Sequence, residues 1–75
     1  AKVEGTISGV DLGLNSVTIT PKRGGAPVTL LVDSTTSIKR NGRQATLADL
    51  QVGDKAEAKY DSTTLIAVKI EAKRR

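Results

Sequence analysis

Along most of this chain small aliphatic residues recur at every second position, and that period confines the fold to sheet. Residues 15–21, NSVTITP, set Val17 and Ile19 against Thr18 and Thr20. Residues 27–33, PVTLLVD, set Val28, Leu30 and Val32 against Thr29 and Leu31, a leucine on the outward side. Residues 54–60, DKAEAKY, set Ala56, Ala58 and Tyr60 against Lys55, Glu57 and Lys59. Residues 65–73, LIAVKIEAK, set Ile66, Val68, Ile70 and Ala72 against Lys69, Glu71 and Lys73. A period of two is the signature of a strand with one buried face. Residues 2–11 hold this phase through Val3 and Ile7 and lose it at Val10, so a bulge near Gly9 is expected to repair the register and bend the first strand. The chain contains no Phe, Trp or Met, and Tyr60 is its one aromatic residue. Packing therefore falls to Val, Ile, Leu and Ala, of which the β-branched members favour strands.

The alternation is interrupted once, in TLADLQVGD, residues 46–54. Thr46 suits a helix N-cap, Asp49 stands where a capping box has its acidic partner, and Leu47 and Leu50 share a helical face. One or two turns of helix are expected, stopped at Gly53 in a left-handed conformation. Leu47, Leu50 and Val52 then form an apolar plug. Ahead of this stretch Asn41-Gly42 is the strongest short hairpin signal in the chain and suits a type I′ turn. Gly24-Gly25 forms a flexible turn able to take positive φ. At 75 residues the chain has room for one core.

Three strands, a helical piece and two more strands, with a small extra hairpin before the helix, is the order of a five-stranded OB-like barrel closed by a short helix between strands three and four. The expected fold is all-β, a single OB-like domain over residues 1–75. The runs VEGTISGVD, SVTIT and IKRNGRQATLADLQVGDKAEAKY resemble a bacterial family of small OB-like domains of unknown function, often exported. That family shares a G-x-I-x-x-V/I-D start and an N-G, T-L-x-D-L-x-V-G-D middle. The matching residues turn, cap or fill, so the resemblance implies a barrel and an envelope or periplasmic setting and implies no catalytic residue.

With no cysteine and no histidine, disulfides, thiolate or imidazole metal sites, and Ser–His or Cys–His pairs are excluded. The remaining Asp, Glu, Lys, Ser and Thr residues fall in no known catalytic spacing, and no cofactor or metal is expected. Asp11 with Asn15 reads as a turn rather than a calcium loop. No run reaches the ~18 apolar residues of a membrane span. Twelve basic against eight acidic residues give a net charge of +4. The excess gathers at Lys22-Arg23, at Lys39-Arg40 with Arg43, and at Lys73-Arg74-Arg75. The expectation is a monomeric, non-catalytic protein-interaction or structural module. The alternative is weak, non-specific binding of single-stranded nucleic acid or another polyanion through Lys22, Arg23, Lys39, Arg40, Arg43 and Tyr60. One aromatic residue is a poor stacking platform, which weighs against that alternative.

Overall fold

The first strand must bend to satisfy two neighbours, and the rest of the fold hangs on how it does so. The computed structural model describes residues 1–74, with β1 at Lys2–Asp11, β2 at Ser16–Pro21, β3 at Val28–Leu31 and β4 at Ser37–Arg40. β5 at Arg43–Gln44, β6 at Lys55–Tyr60 and β7 at Ala67–Lys73 follow. The chain is all-β. β1 pairs antiparallel with β6 over Lys2 to Thr6 and with β2 over Gly5 to Asp11. Gly5 belongs to both pairings, and a Cβ placed there would lie 1.9 Å from the Thr20 carbonyl oxygen, so no side chain fits at the crossover. The register between β1 and β2 shifts between Ile7 and Gly9, the bulge anticipated from the loss of phase at Val10.

The strands run β3-β2-β1-β6-β7-β4-β5 in one open seven-stranded sheet, rather than the closed five-stranded barrel expected. Two differences in layout accompany this. The expected third strand stops at Leu31, and the hairpin is no appendage: β4 joins the sheet by parallel pairing with β7, Ile38 opposite Ile70. At the Asn41-Gly42 turn φ is 54° and 81°, positive at both residues as a type I′ hairpin requires. An isolated parallel bridge between Leu31 and Ile66 brings the β3 end of the sheet against the chain just ahead of β7.

The core is aliphatic. Ile7, Val17, Ile19, Leu30 and Ile70 are fully buried, each worth about 1.5–3 kcal/mol on removal from water. The helical piece shrinks to a single 3-10 turn, Leu47–Asp49. The Asp49 carboxylate accepts the Thr46 N–H at 2.9 Å, and Leu47 and Leu50 are buried as expected. Val52 is not part of the plug, being 66% exposed. It occupies the outer corner of a tight turn in which the Asp54 N–H donates to the Gln51 carbonyl at 3.1 Å. Gly53 has φ of 100°, its N–H donates to the Ile7 carbonyl, and Ile7 N–H donates to the Asp54 carbonyl, both at 2.8 Å. Two residues thus face one, the geometry of a bulge with glycine at its first position.

The last strand also departs from simple alternation. Tyr60 pairs with Ala67 and Lys59 with Lys69, so Val68 is the unpaired residue of a bulge. Ala67 takes the inward place and Val68, expected inside, is 61% exposed.

Candidate functional site

The basic residues singled out above do not converge. Lys22 and Arg23 lie in the turn after β2, and the Lys22 ammonium approaches Glu4 at 3.9 Å. Lys39 and Arg43 lie on the β4–β5 hairpin, exposed. Arg40 is taken out of the set: its Nε and Nη2 donate to the two oxygens of the buried Asp54 carboxylate at 2.8 and 3.2 Å. Gln51 N–H adds a third bond to that carboxylate at 3.2 Å. The Arg40 hydrogen bond holds the Asp54 carboxyl below the usual range against the opposing effect of burial, and raises the guanidinium pKa in turn. Arg40 therefore fastens the hairpin to the Gly53 turn. Tyr60 is partly buried and packs against the core. The chain end comes back to the hairpin, where Arg74 N–H donates to the Asn41 side-chain oxygen at 2.8 Å. Arg75 lies outside the described residues.

Two outer surfaces emerge instead. On the first, strand register collects like charges into rows. Lys2, Lys59 and Lys69 stand side by side across β1, β6 and β7; Glu4, Glu57 and Glu71 form the next row; Lys55 and Lys73 form a third. Like charges directly opposite one another oppose the pairing. The relief runs diagonally, through Lys2 with Glu57 at 3.1 Å, and along β7 through Lys69 with Glu71 at 2.7 Å. The bond to Lys69 keeps the Glu71 carboxyl below its ordinary value, and the same bond raises the Lys69 pKa. An open groove of about 320 Å³ crosses this face beside Thr6, walled by Lys22, Lys55, Lys73 and the glutamates.

The second surface is the outer side of β2, β3 and the far half of β1. Ser8, Thr18, Thr20 and Thr29 lie there, with a single strand charge, Asp11 opposite Ser16, at its end; the Thr18 and Thr29 hydroxyls are 3.0 Å apart, and Ser8 donates to the Thr18 carbonyl at 3.4 Å. At its end the chain places four leucines on neighbouring segments. The Leu31 N–H donates to the Leu65 carbonyl at 2.8 Å, and the Val32 N–H donates to the Asn15 carbonyl at 2.7 Å, which brings up the loop of Leu12 and Leu14. These leucines are 42–72% exposed. Leu65 also has φ of 62°, left-handed backbone at a bulky residue in a turn where its N–H donates to the Asp61 carbonyl at 2.7 Å.

Four exposed aspartates are spent on local turns. Asp11 accepts from Gly13 and Leu14 N–H, Asp33 from the Thr35 N–H and the hydroxyls of Thr35 and Thr36, Asp49 from Thr46, and Asp61 from Thr63 and Thr64. The Thr35 side-chain hydrogen bond, with the rest of that turn, lowers the Asp33 pKa. No cluster of three metal-ligating side chains exists among the described residues. No helix of the described chain is long and apolar enough to cross a membrane.

Comparisons with protein-family models, with curated proteins and with solved structures return no match. Sequence reading missed the charge rows, whose members lie up to 67 positions apart (69 − 2) and meet only through register. It also missed Leu65, although an apolar residue closing the turn DSTTL where Gly or Asn would serve better was a readable signal.

Proposed function

We propose that this chain is a non-catalytic interaction module built on an OB-like frame, part of an exported or envelope protein, whose contact surface is the uncharged face and its leucine rim. The OB-like reading is supported by the pairing pattern. β3 and β4 can be counted as halves of one interrupted strand, the first beside β2 and the second parallel to β7, which reduces seven strands to five with β5 as an added arm. The observation that carries the function is Leu65. A left-handed backbone costs a leucine about 1–2 kcal/mol, which glycine would not incur, so an exposed leucine kept there is explained by a contact outside the fold.

The test joins stability to binding. Leu65→Gly is expected to raise unfolding stability by about 1 kcal/mol in urea melts. A photo-crosslinking group at Leu14, used in extracts of the source cells, is expected to give a discrete protein adduct that Leu65→Gly removes. An adduct that ignores the substitution, or none at all, rejects the reading.

A second reading, polyanion binding, draws on the lysine rows and the exposed pair Lys39 and Arg43. With Arg40 engaged by Asp54 and a glutamate row between the lysines, that binding is weak and lost at physiological salt. Anisotropy titrations of single-stranded DNA at low and physiological salt test it, with Lys39→Glu and Arg43→Glu expected to flatten the salt slope.

A further inference from the structure

We propose that the open edge of β3 receives an extended, uncharged segment of a partner protein as an added strand, its apolar side chains held by the leucine rim. This rests on the interaction-module reading and names the occupant.

β3 ends the strand order, with β2 as its only full neighbour. The Leu31 N–H points away from β2, to the Leu65 carbonyl. Backbone direction alternates along a strand, so the N–H and C=O of Thr29 point the same way. The close Thr18 and Thr29 hydroxyls fit this, since side chains approach most closely at pairs that exchange no backbone hydrogen bonds. Beyond the β2 ladder, Val28, Thr29 and Leu30 make no backbone hydrogen bond among the described residues.

The opposite end of the sheet is guarded differently. β5 is two residues long and carries Arg43, with Lys39 on the strand behind it, devices that keep an edge from pairing. β3 has neither charge nor bulge. Its outward donor and acceptor lie beside exposed leucines, the combination used in recognition by strand addition, where main-chain bonds hold the segment and side-chain contacts select it.

The partner's chemistry follows from the surface. The face carries hydroxyls and leucines, and its one strand carboxylate, Asp11, already accepts from the Gly13 and Leu14 N–H groups, so an uncharged segment docks there without a charge left unpaired. Four partly exposed leucines amount to a few hundred Å² of apolar surface, well under the ~800 Å² per partner of a stable protein interface. That area suits a short segment rather than a second copy of this chain.

A displayed library of short random peptides, selected on the immobilised protein, is expected to yield sequences with alternating apolar residues and no charge at their centre. A synthetic peptide of that consensus is then titrated against the wild type, Thr29→Pro and Leu65→Gly. Thr29→Pro removes one outward N–H and leaves the β2 ladder untouched, a change an edge strand tolerates. It is expected to weaken binding roughly tenfold or more while circular dichroism stays unchanged. Methylating alternate backbone nitrogens of the peptide is expected to do the same for one parity only, a result independent of how the variant folds. Binding that falls with Leu65→Gly yet ignores both Thr29→Pro and N-methylation overturns strand addition and leaves the leucine surface standing. Failure to enrich uncharged peptides overturns the proposal, whereas a Leu14 adduct that never forms, or that survives Leu65→Gly, overturns the reading beneath it.

Discussion

β1 serves two surfaces in succession. From Lys2 to Thr6 it lies against β6, where its outward residues join the rows of lysine and glutamate. Beyond the bulge it lies against β2 alone, and its outward neighbours are Thr18 and Ser16. The charged face is held by ion pairs whose side chains are about half exposed, contacts that water and salt keep weak. The other face carries one strand charge, Asp11, which is held by backbone N–H groups and by no ion pair among the described residues. It keeps exposed leucine where charge would be more soluble, and a left-handed leucine where glycine would be more stable. The charged face is thus held by solvated ion pairs, and the other leaves leucine in water.

Gly5 is where the two surfaces meet, so it offers the largest break. Gly5→Ala drives a methyl group into the Thr20 carbonyl, against the β2 backbone at Thr20 and Pro21. The expected loss lies above about 4 kcal/mol, at the top of the range for single substitutions, and both pairings of β1 fail together in hydrogen exchange. Protection lost on the β2 side alone would mean that the faces are held independently. Leu50→Ala comes next. It empties a buried position beneath the sheet and is expected to cost about 2–5 kcal/mol in urea melts, without changing the exchange of β3 relative to β6.

Features that a few neighbouring residues decide were legible in the sequence. Asn41-Gly42 takes positive φ at both positions, Gly53 takes it at the turn, and the lost phase at Val10 does mark a bulge. Features decided by distant pairing were not. Val52 and Val68 obey the apolar pattern yet face water, one on a turn corner and one in a bulge fixed by β6. Arg40 looked like one more cation on a basic tip because Asp54, its partner, lies across the 3-10 turn in sequence. Of the candidate contact residues, Lys22, Arg23, Lys39 and Arg43 remain exposed, whereas Arg40 and Tyr60 are drawn into the fold.

The Arg40–Asp54 pair sharpens the comparison because it is the ion pair with least access to water. Asp54→Asn is expected to cost about 1–3 kcal/mol at neutral pH, for a partly buried donor that loses its charged acceptor. The folded Asp54 pKa is depressed, so its contribution is fully present above the unfolded value near 3.8 and drains away as pH falls through the folded one. Urea midpoints of wild type and variant, followed from pH 7 to about pH 2, are expected to converge at the acid end. Curves that stay parallel would mean that the pair does not bind its proton differently in the two states.

The smallest effect tests the charge rows directly. Lys59 has Lys2 opposite it on one side and Lys69 on the other. Lys59→Glu places a carboxylate between two ammonium groups and should stabilise the fold by a few tenths of a kcal/mol to about 1 kcal/mol at low ionic strength. In ~1 M salt, where screening acts over about 3 Å, the gain should disappear. The matching substitution on the other face, Thr29→Lys, has hydroxyl residues, Ser16, Thr18 and Thr20, as its neighbours on β2 and should show little salt dependence. If Lys59→Glu instead destabilises at low salt, the row is held by contacts other than charge, and the contrast between the faces reduces to composition. If both predictions hold, stability on the charged face responds to salt and stability on the uncharged face does not. An interaction made through the leucine rim should then persist at salt concentrations that silence the lysine rows.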